Sequence, residues 1–463
     1  MPEGSTPWPQ EFVDRYWAAG HWRGNTLDNL LRDWALQYGP RTALVHGDTR
    51  LTYAHLNRRV DRMAAGFRLR GLRPGQRAVV QLPNVPEFVV TVFALMRAGL
   101  VPALCPVTYR APEVSHLVRV TQAVAYVGPA TYQGFDHIAM AADISAQGPF
   151  LRRVFPLEAP GTSSPYGGFT TDPSGCHYFP LGSVDSPPDR ALAQRADQVA
   201  FLLPSDGPAG APRLIPRTHD DYAYQARAAA ELVSLTEDDV YLAALPAASN
   251  FAFGCPGIVG TLSVGGAVVL VEDAGAAACR EAVGRAQVTL TSVEPGVIRR
   301  WLDALPAAGA GPGTLRLVQV GGASAPLDRA TAGRVGPELG CRLQQVHGTV
   351  EGVLTLTRPA DPDERVLGSQ GRPLSPDDEI ALVGADGREV PEGETGELLA
   401  RGPYVPRGSY RAPGHDAHSF TADGYLRTGV LARRTPAGDL VVTGRVGDQG
   451  RRTAGVQDGP PAS

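Results

Sequence analysis

Several features are scarce in this 463-residue chain, and each scarcity excludes a class of protein. The apolar runs are short and interrupted, which argues against a membrane span. No block of basic residues accompanies the net charge of −4, so neither nucleic acid nor an anionic membrane is an expected partner. The cysteines are few, odd in number and widely scattered, so they predict neither a disulfide framework nor a metal site: Cys105, Cys176, Cys255, Cys279 and Cys341.

Processing and catalytic motifs are scarce as well. The N-terminus reads Met-Pro-Glu-Gly-Ser-Thr-Pro-Trp and has no basic, apolar signal pattern, so the chain is predicted to be cytoplasmic. A Gly-x-Ser-x-Gly elbow is missing, so a standard hydrolase site is not expected, and no residue is assigned to a metal. The length predicts two to four domains or subdomains, and a 43% hydrophobic content is enough for sizeable cores.

Strand-like and helix-like segments alternate along most of the chain. Apolar runs predict strands at residues 77–82, 101–105, 199–204, 267–271, 287–292, 315–320 and 342–346. Segments with helical periodicity separate them, which indicates a parallel α/β sheet. Residues 157–195 are rich in Pro, Gly and Ser and predict an irregular excursion. After residue 352, short strands at 379–383, 396–401 and 439–444 predict a small antiparallel β unit.

The stretch 199–235 organises the rest of this interpretation. An apolar run ends in a Gly/Pro-rich loop, and Thr218 with two following aspartates then predicts the start of a helix. In a doubly wound sheet such a loop lies at the carboxyl end of a strand, where ligands bind. Gly-rich loops there usually bind phosphate through backbone N–H groups. Pro208 and Pro212 have no N–H, and Asp206 adds a carboxylate. The residues of this loop therefore disfavour the phosphate binding that its position suggests.

Five motifs together resemble one family. They are residues 51–57 (LTYAHLN), 214–222 (LIPRTHDDY), 315–323, 343–352 (LQQVHGTVEG) and 393–397 (GETGE). They resemble the adenylate-forming superfamily, in particular the stand-alone aryl-acid AMP ligases of the salicylate and 2,3-dihydroxybenzoate type, from about residue 8 to 449. The resemblance implies an α/β fold: a large N-terminal domain with two related doubly wound subdomains and a small β-barrel.

The same resemblance sets the expected domain boundaries. The first α/β subdomain is placed at 1–195, the second at 196–350, and the β-barrel with a hinge remnant at 351–449. Residues 450–463 are Gly/Pro/Arg-rich and predict a disordered tail. In the family, a mobile C-terminal domain follows the hinge. Because this sequence stops just past the corresponding position, that domain is expected to be absent.

The phosphate loop departs from the family pattern Ser-Gly-Gly-Ser-Thr-Gly-x-x-Lys. Ser205, Gly207 and Gly210 keep the frame, but both hydroxyl residues are replaced and Arg213 stands in place of the lysine. Two further changes concern the nucleotide. Val430 replaces the Asp that holds the ribose in the family, whereas Arg445 is kept at the hinge although the nearby lysine is not.

These changes predict a weakened nucleotide site. The loss of one transition-state donor typically lowers the rate by ~10²–10³. Several such losses, together with the added Asp206, predict that little ATP chemistry remains and that ATP binds weakly or not at all. The alternative is that Arg213 substitutes for the lysine and a partner supplies the rest.

The aryl pocket keeps more of the family pattern. Asn250 matches the residue that meets the ortho-hydroxyl and carboxylate side of the aryl acid, and Phe251 follows it. Cys255 stands where Ser accompanies a 3-hydroxyl and Cys accompanies salicylate, which predicts a salicylate-like pocket. Ser249 replaces the family's His. The alternative is that Asn250 and Cys255 are ordinary loop and core residues.

Three residues are candidates for catalysis. His347 follows a predicted strand four residues before Glu351, which holds the family's magnesium-binding position, and Asp206 lies on the facing loop. The alternative is that His347 is a stacked, hydrogen-bonded residue without a catalytic role. Gly321, Gly322 and His219 lie in shared motifs and are assigned to substrate binding; His219 is expected to order the loop.

Three hypotheses follow. The first is a repurposed scaffold that binds a salicylate-type aryl-acyl compound and performs ATP-independent hydrolysis or acyl transfer, without a cofactor. The second is a residual or partner-dependent salicylate or 2,3-dihydroxybenzoate AMP ligase, which needs ATP and Mg²⁺. The third is a non-catalytic binding protein. A small-molecule aryl-acyl substrate, and a carrier protein or biosynthetic partner enzyme, are the expected partners.

Overall fold

The computed structural model of the protein describes residues 4–159, 170–188, 192–205, 210–304, 313–322 and 326–446. The helices in these ranges are α1 Gln10–Ala18, α2 Leu27–Tyr38, α3 Tyr53–Leu69, α4 Pro86–Arg97, α5 Ala111–Thr121, α6 His137–Gln147, α7 His219–Leu232, α8 Asn250–Gly254, α9 Gly257–Ser263, α10 Ala276–Ala286, α11 Pro295–Asp303, α12 Arg329–Leu339, α13 Asp363–Gly368 and α14 Pro413–Ser419.

The strands in the same ranges are β1 Thr42–His46, β2 Thr49–Thr52, β3 Arg77–Val80, β4 Val101–Leu104, β5 Ala125–Pro129, β6 Thr131–Tyr132, β7 Phe135–Asp136, β8 Arg153–Leu157, β9 Thr170–Thr171, β10 His177–Tyr178, β11 Val199–Ser205, β12 Arg213–Thr218, β13 Val240–Ala243, β14 Ala267–Leu270, β15 Leu290–Val293, β16 Leu317–Gly322, β17 Arg342–Thr349, β18 Gly352–Leu356, β19 Arg372–Pro373, β20 Glu379–Val383, β21 Thr395–Arg401, β22 Leu426–Arg434 and β23 Leu440–Arg445.

Two large sheets with parallel centres form the body of the molecule. The eight-stranded sheet has the order β12-β11-β4-β3-β5-β8-β10-β9, and the nine-stranded sheet has the order β19-β18-β17-β16-β15-β13-β14-β1-β2. In both, the central pairs are parallel and antiparallel pairs lie at the edges. Parallel strands need helical crossovers, which explains the alternation that the sequence predicts.

Helix α4 joins the two sheets into one core. All of its side chains except that of Glu87 are buried. An all-round apolar helix is stable only when it is covered on every side. The largest hydrophobic cluster includes α4 together with strands of both sheets, such as Val80 of β3 and Tyr241 of β13. Helix α4 is therefore enclosed between the sheets.

The segment after β11 differs from the predicted strand, loop and helix. Residues 213–218 form β12, which pairs antiparallel with β11, and only then does α7 begin at His219. Strands β11 and β12 therefore form an antiparallel pair, and a strand precedes the helix in place of the predicted direct passage from loop to helix. Pro216 obscured this strand in the sequence, but β12 is an edge strand, where proline is tolerated.

The antiparallel unit lies where the resemblance implies a β-barrel. It is a four-stranded sheet in the order β20-β21-β22-β23, and β22 was not predicted. Its apolar face forms a separate small cluster that contains Leu398 and Val430.

A buried polar cluster lies just before this sheet. The Asp378 carboxylate accepts hydrogen bonds from the Tyr404 hydroxyl (2.5 Å) and the Ser375 N–H (2.9 Å). Burial of the carboxyl group raises the pKa of Asp378 to about 7. The junction between the nine-stranded and four-stranded sheets therefore holds an acid that titrates near neutrality.

The predicted domain boundaries stay predictions. Strands exchange between the sheets, because β1 and β2 pair into the nine-stranded sheet and β11 and β12 into the eight-stranded sheet. The predicted tail at 450–463 lies outside the described residues.

Candidate active site

Six of the predicted site residues line one cavity of about 350 Å³. Its walls come from the end of β11, the start of β12, the turn after β17, the start of α8, and the strands β22 and β23. In a sheet with parallel strands, this carboxyl edge is where ligands bind. Among the site residues that the sequence predicts, the following line it: Ser205, Arg213, Ser249, Asn250, Glu351 and Arg445.

A carboxylate and an arginine form an ion pair at the wall of this cavity. The Ser205 hydroxyl donates to Oε1 of Glu351, and Arg213 Nη2 lies 3.3 Å from the same oxygen. The side chains of Arg213 and Glu351 are 27% and 20% exposed, so both remain open to the cavity. Glu351 is thus held at the cavity wall by the two ends of the β11–β12 hairpin.

His347 is not the partner of Glu351. It lies on β17 opposite Gly322, is 4% exposed, and its Nε2 has no hydrogen-bond partner among the described residues. Burial, followed by the nearby Arg445 charge, lowers the pKa of His347 to about 4, so the imidazole is neutral. The structure therefore does not assemble the predicted His347–Glu351 pair, and Asp206 lies outside the described residues.

The residues of the predicted aryl pocket have different positions. Ser249 caps α8, accepting the Ala252 N–H at 3.2 Å, and Asn250 begins the helix. Phe251 packs against the cluster that contains the fully buried Cys255. Ser249 and Asn250 line the cavity, whereas Cys255 is buried in the core and is not among the lining residues.

His219, Gly321 and Gly322 contribute to the fold in the structure and do not line the cavity. His219 Nδ1 accepts the Leu27 N–H at 3.1 Å, and burial lowers the pKa of His219 to about 4, so a neutral ring holds the start of α2. Gly321 pairs with Val346 of β17, where the two backbones approach too closely for a side chain. Gly322 has φ +115°, a conformation that favours glycine.

The residues assigned to the weakened nucleotide site are only partly described. Gly207 lies outside the described residues, and Gly210 has φ +74° where the chain turns into β12. Val430 is 1% exposed in the core of the four-stranded sheet and pairs in register with Arg445. An apolar side chain at that position provides no acceptor for a ribose hydroxyl.

Two buried amides beside the site were missed by the sequence reasoning. Asn84 Nδ2 donates to the carbonyls of Ala243 (2.9 Å) and Leu245 (2.8 Å), and its Oδ1 accepts the Ala247 N–H at 2.7 Å, so it fixes the loop that leads to α8. Gln225 of α7 contacts Asn250 directly. A polar residue within a mainly apolar segment, as in PNVPEF, was the available signal for Asn84.

The described ranges contain neither a membrane-spanning helix nor a cluster of metal ligands. No helix within the described ranges is both long and apolar enough to cross a bilayer. In that same part of the chain, no three His, Cys, Asp or Glu side chains gather as ion ligands.

Comparison with known proteins identifies the family. The AMP-binding enzyme family matches residues 31–410, so this chain belongs to the AMP-binding enzymes. The apo structure of MbtA from Mycobacterium smegmatis superposes with a TM-score of 0.87 at 42% identity, covering 96% of this chain and 80% of that one. The fold is therefore that of the large N-terminal domain of adenylate-forming enzymes, as the resemblance implied.

Curated relatives are similar over nearly the whole chain. A Streptomyces protein named salicylyl-CoA synthase / salicylate adenylyltransferase is 44% identical over 449 residues, which are 96% of this chain and 79% of the relative. The 2,3-dihydroxybenzoate-AMP ligase of Bacillus subtilis is 39% identical, over 97% of this chain and 80% of the relative.

These relatives overturn the first hypothesis. The prediction of a non-adenylating hydrolase or acyl-transfer enzyme is wrong, because proteins 39–44% identical over almost the whole chain are named for adenylation and AMP ligation of aryl acids. The structure keeps a cation and a carboxylate together at the cavity in Arg213 and Glu351.

Proposed function

We propose that this chain activates a salicylate-type aryl acid with ATP, forming an aryl adenylate and pyrophosphate. One observation carries the proposal: a single cavity joins the Glu351–Arg213 pair, at the phosphate-loop hairpin, to Ser249 and Asn250 of the aryl pocket. The names of the relatives supply the substrate class.

The reaction requires the cavity to bind two anionic reactants. A carboxylate oxygen of the acid attacks the α-phosphorus of ATP, the bond from that phosphorus to the β-phosphate bridging oxygen breaks, and pyrophosphate leaves with the electron pair. Both reactants are negatively charged, so catalysis depends on positioning and on cations along the wall. Arg213 and Arg445 line the cavity and are suited to that role.

Glu351 has the chemistry to hold the metal that accompanies ATP. Within the described residues, its Oε1 accepts both hydrogen bonds and its Oε2 makes none. Mg²⁺ is usually bound through one or two carboxylates together with substrate phosphates, which agrees with Glu351 as the one carboxylate among the described residues that line the cavity. Bound Mg²⁺ would neutralise phosphate charge. The expectation of no cofactor belonged to the first hypothesis, and the proposed reaction requires ATP and Mg²⁺.

Substrate choice and the acyl acceptor follow from the pocket and from the relatives. The buried Cys255 behaves as a small apolar residue and favours salicylate over 2,3-dihydroxybenzoate. The activated acyl group then passes to a thiol, either of coenzyme A, as the name of the Streptomyces relative suggests, or of a carrier protein.

Pyrophosphate exchange into ATP, dependent on salicylate, tests the proposal. We expect Glu351→Gln and Arg213→Ala each to lower the exchange rate by ~10²-fold, as when one transition-state contact is lost. Glu338→Gln and Arg334→Ala change a matched carboxylate–arginine pair on α12 and should leave the rate unchanged. A parent protein without exchange on any aryl acid would contradict the proposal.

A further inference from the structure

A chain of buried polar groups runs from an ion pair to the aryl pocket. Arg217 and Asp221 are fully buried and paired at 2.8 Å. Arg217 Nη2 also donates to Oε1 of Gln225 at 2.9 Å. Gln225 Nε2 donates to the Gly254 carbonyl at 3.0 Å and to Oδ1 of Asn250 at 3.1 Å. Gln225 itself is completely buried, so no solvent competes for these bonds.

The hydrogen-bonding partners determine how the side-chain amides of Gln225 and Asn250 are oriented in this network. A guanidinium only donates, so the Gln225 atom that faces Arg217 must be the acceptor oxygen. The Gln225 amino group must then lie on the other side, where the Gly254 carbonyl also requires a donor. Asn250 therefore turns its oxygen toward Gln225. The amide orientations follow from the network and not from atom identity alone.

One group of Asn250 remains for the cavity. Asn250 lines the cavity, and its Nδ2 makes no hydrogen bond within the described part of the chain. We propose that Gln225, held by Arg217, is a positioning residue that makes Asn250 an obligate hydrogen-bond donor to the aryl acid. This inference rests on the proposed function and names the feature of the acid that the pocket selects.

A fixed donor discriminates between ortho substituents. The phenolic oxygen of salicylate and the carboxylate oxygens accept a hydrogen bond. The amino nitrogen of 2-aminobenzoate is a poor acceptor because its lone pair is delocalised into the ring, and its N–H groups would face another donor. A donor left unpaired in a closed site lowers affinity, so salicylate should be preferred over 2-aminobenzoate by roughly tenfold to a hundredfold.

Gln225→Glu should reverse the donor. The introduced carboxylate accepts from Arg217 and cannot donate to Asn250, so the Asn250 amide rotates and presents its oxygen to the cavity. The ratio of kcat/KM for salicylate to kcat/KM for 2-aminobenzoate, measured by pyrophosphate exchange, should fall by about tenfold or more. Gln225→Met releases the amide without reversing it and should give an intermediate ratio.

The control and the readout separate positioning from general damage. Gln287→Glu makes the same change at an exposed glutamine on the surface and should keep the parent ratio. A purely structural role for Gln225 would lower both rates together and leave the ratio unchanged. An unchanged ratio in folded Gln225→Glu and Gln225→Met proteins would overturn the inference.

Failure of the proposed function is distinguishable from failure of this inference. If the parent protein exchanges no pyrophosphate with any aryl acid, the proposed function fails. The preference is then measured by calorimetry as the ratio of the dissociation constants for salicylate and 2-aminobenzoate. A binding preference for salicylate that Gln225→Glu reduces would support the inference. Equal binding of both acids by the parent protein would overturn it.

Discussion

Gly321 gives the sharpest structural prediction, because its neighbour is backbone. A Cβ at this position would lie 1.7 Å from the Val346 carbonyl oxygen and 2.6 Å from its carbon. An ordinary contact begins near 3.4 Å, so Gly321→Ala requires β16 and β17 to separate by more than an ångström. These strands are hydrogen-bonded neighbours inside the nine-stranded sheet, and neither can rotate away as a side chain would.

The expected cost follows from that geometry. Inserting a methyl group into a packed core typically costs ~1–3 kcal/mol when side chains can adjust. Here only backbone can move, so we expect Gly321→Ala to lie at or above the upper end of that range, with a marked fall in Tm and loss of exchange activity.

Gly333 on α12 is the matched control. It is exposed, and a Cβ there meets nothing within 4 Å. Because alanine is favoured over glycine in a helix by up to ~1 kcal/mol, Gly333→Ala should be neutral or slightly stabilising. Thermal unfolding of both variants, followed by circular dichroism, makes the comparison. A Gly321→Ala protein that melts within a degree of the parent would refute the geometric argument.

Two further predictions concern buried polar and apolar groups. The pKa of Asp378 is raised to about 7, so the folded protein binds this proton more tightly than the unfolded chain, and stability falls as the pH rises from about 4 to 7. Asp378→Asn removes that dependence, and the Tm difference between variant and parent should grow from pH 5 to pH 8; a constant difference would be inconsistent with a raised pKa. Cys255→Ser introduces a buried hydroxyl at the position that the family resemblance assigns to the aryl pocket. It should shift the ratio of kcat/KM toward 2,3-dihydroxybenzoate over salicylate, and an unchanged ratio would remove Cys255 from substrate selection.

The sequence predicted the regular parts of the fold well, for physical reasons. The mainly apolar segment of α4 and the buried runs of β3 and β11 leave few alternatives, because each must be covered on both sides. Strand β12 was missed because Pro216 argues against a strand, and only its position at the sheet edge permits it. Edge position is a property of the assembled sheet and has no local signal.

The site was predicted less completely than the fold. The family resemblance implied that Arg213, Glu351 and Asn250 share one site, and all three line one cavity. The resemblance did not reveal that Glu351 pairs with Arg213 and not with His347, because the pairing of side chains at a cavity depends on tertiary geometry. Gln225 lies in an ordinary helical segment, and its orientation of Asn250 emerges only from a hydrogen-bond network that crosses three elements.

Isotope transfer tests the central claim most directly. The protein is incubated with ATP, Mg²⁺ and salicylate labelled with ¹⁸O in its carboxylate, and the products are analysed by mass spectrometry. If a carboxylate oxygen attacks the α-phosphorus, salicyl-AMP forms, and AMP released by hydrolysis at the acyl carbon carries one ¹⁸O. Glu351→Gln should greatly reduce both signals. ATP consumed without labelled AMP, or no salicyl-AMP from the parent protein, would contradict the account.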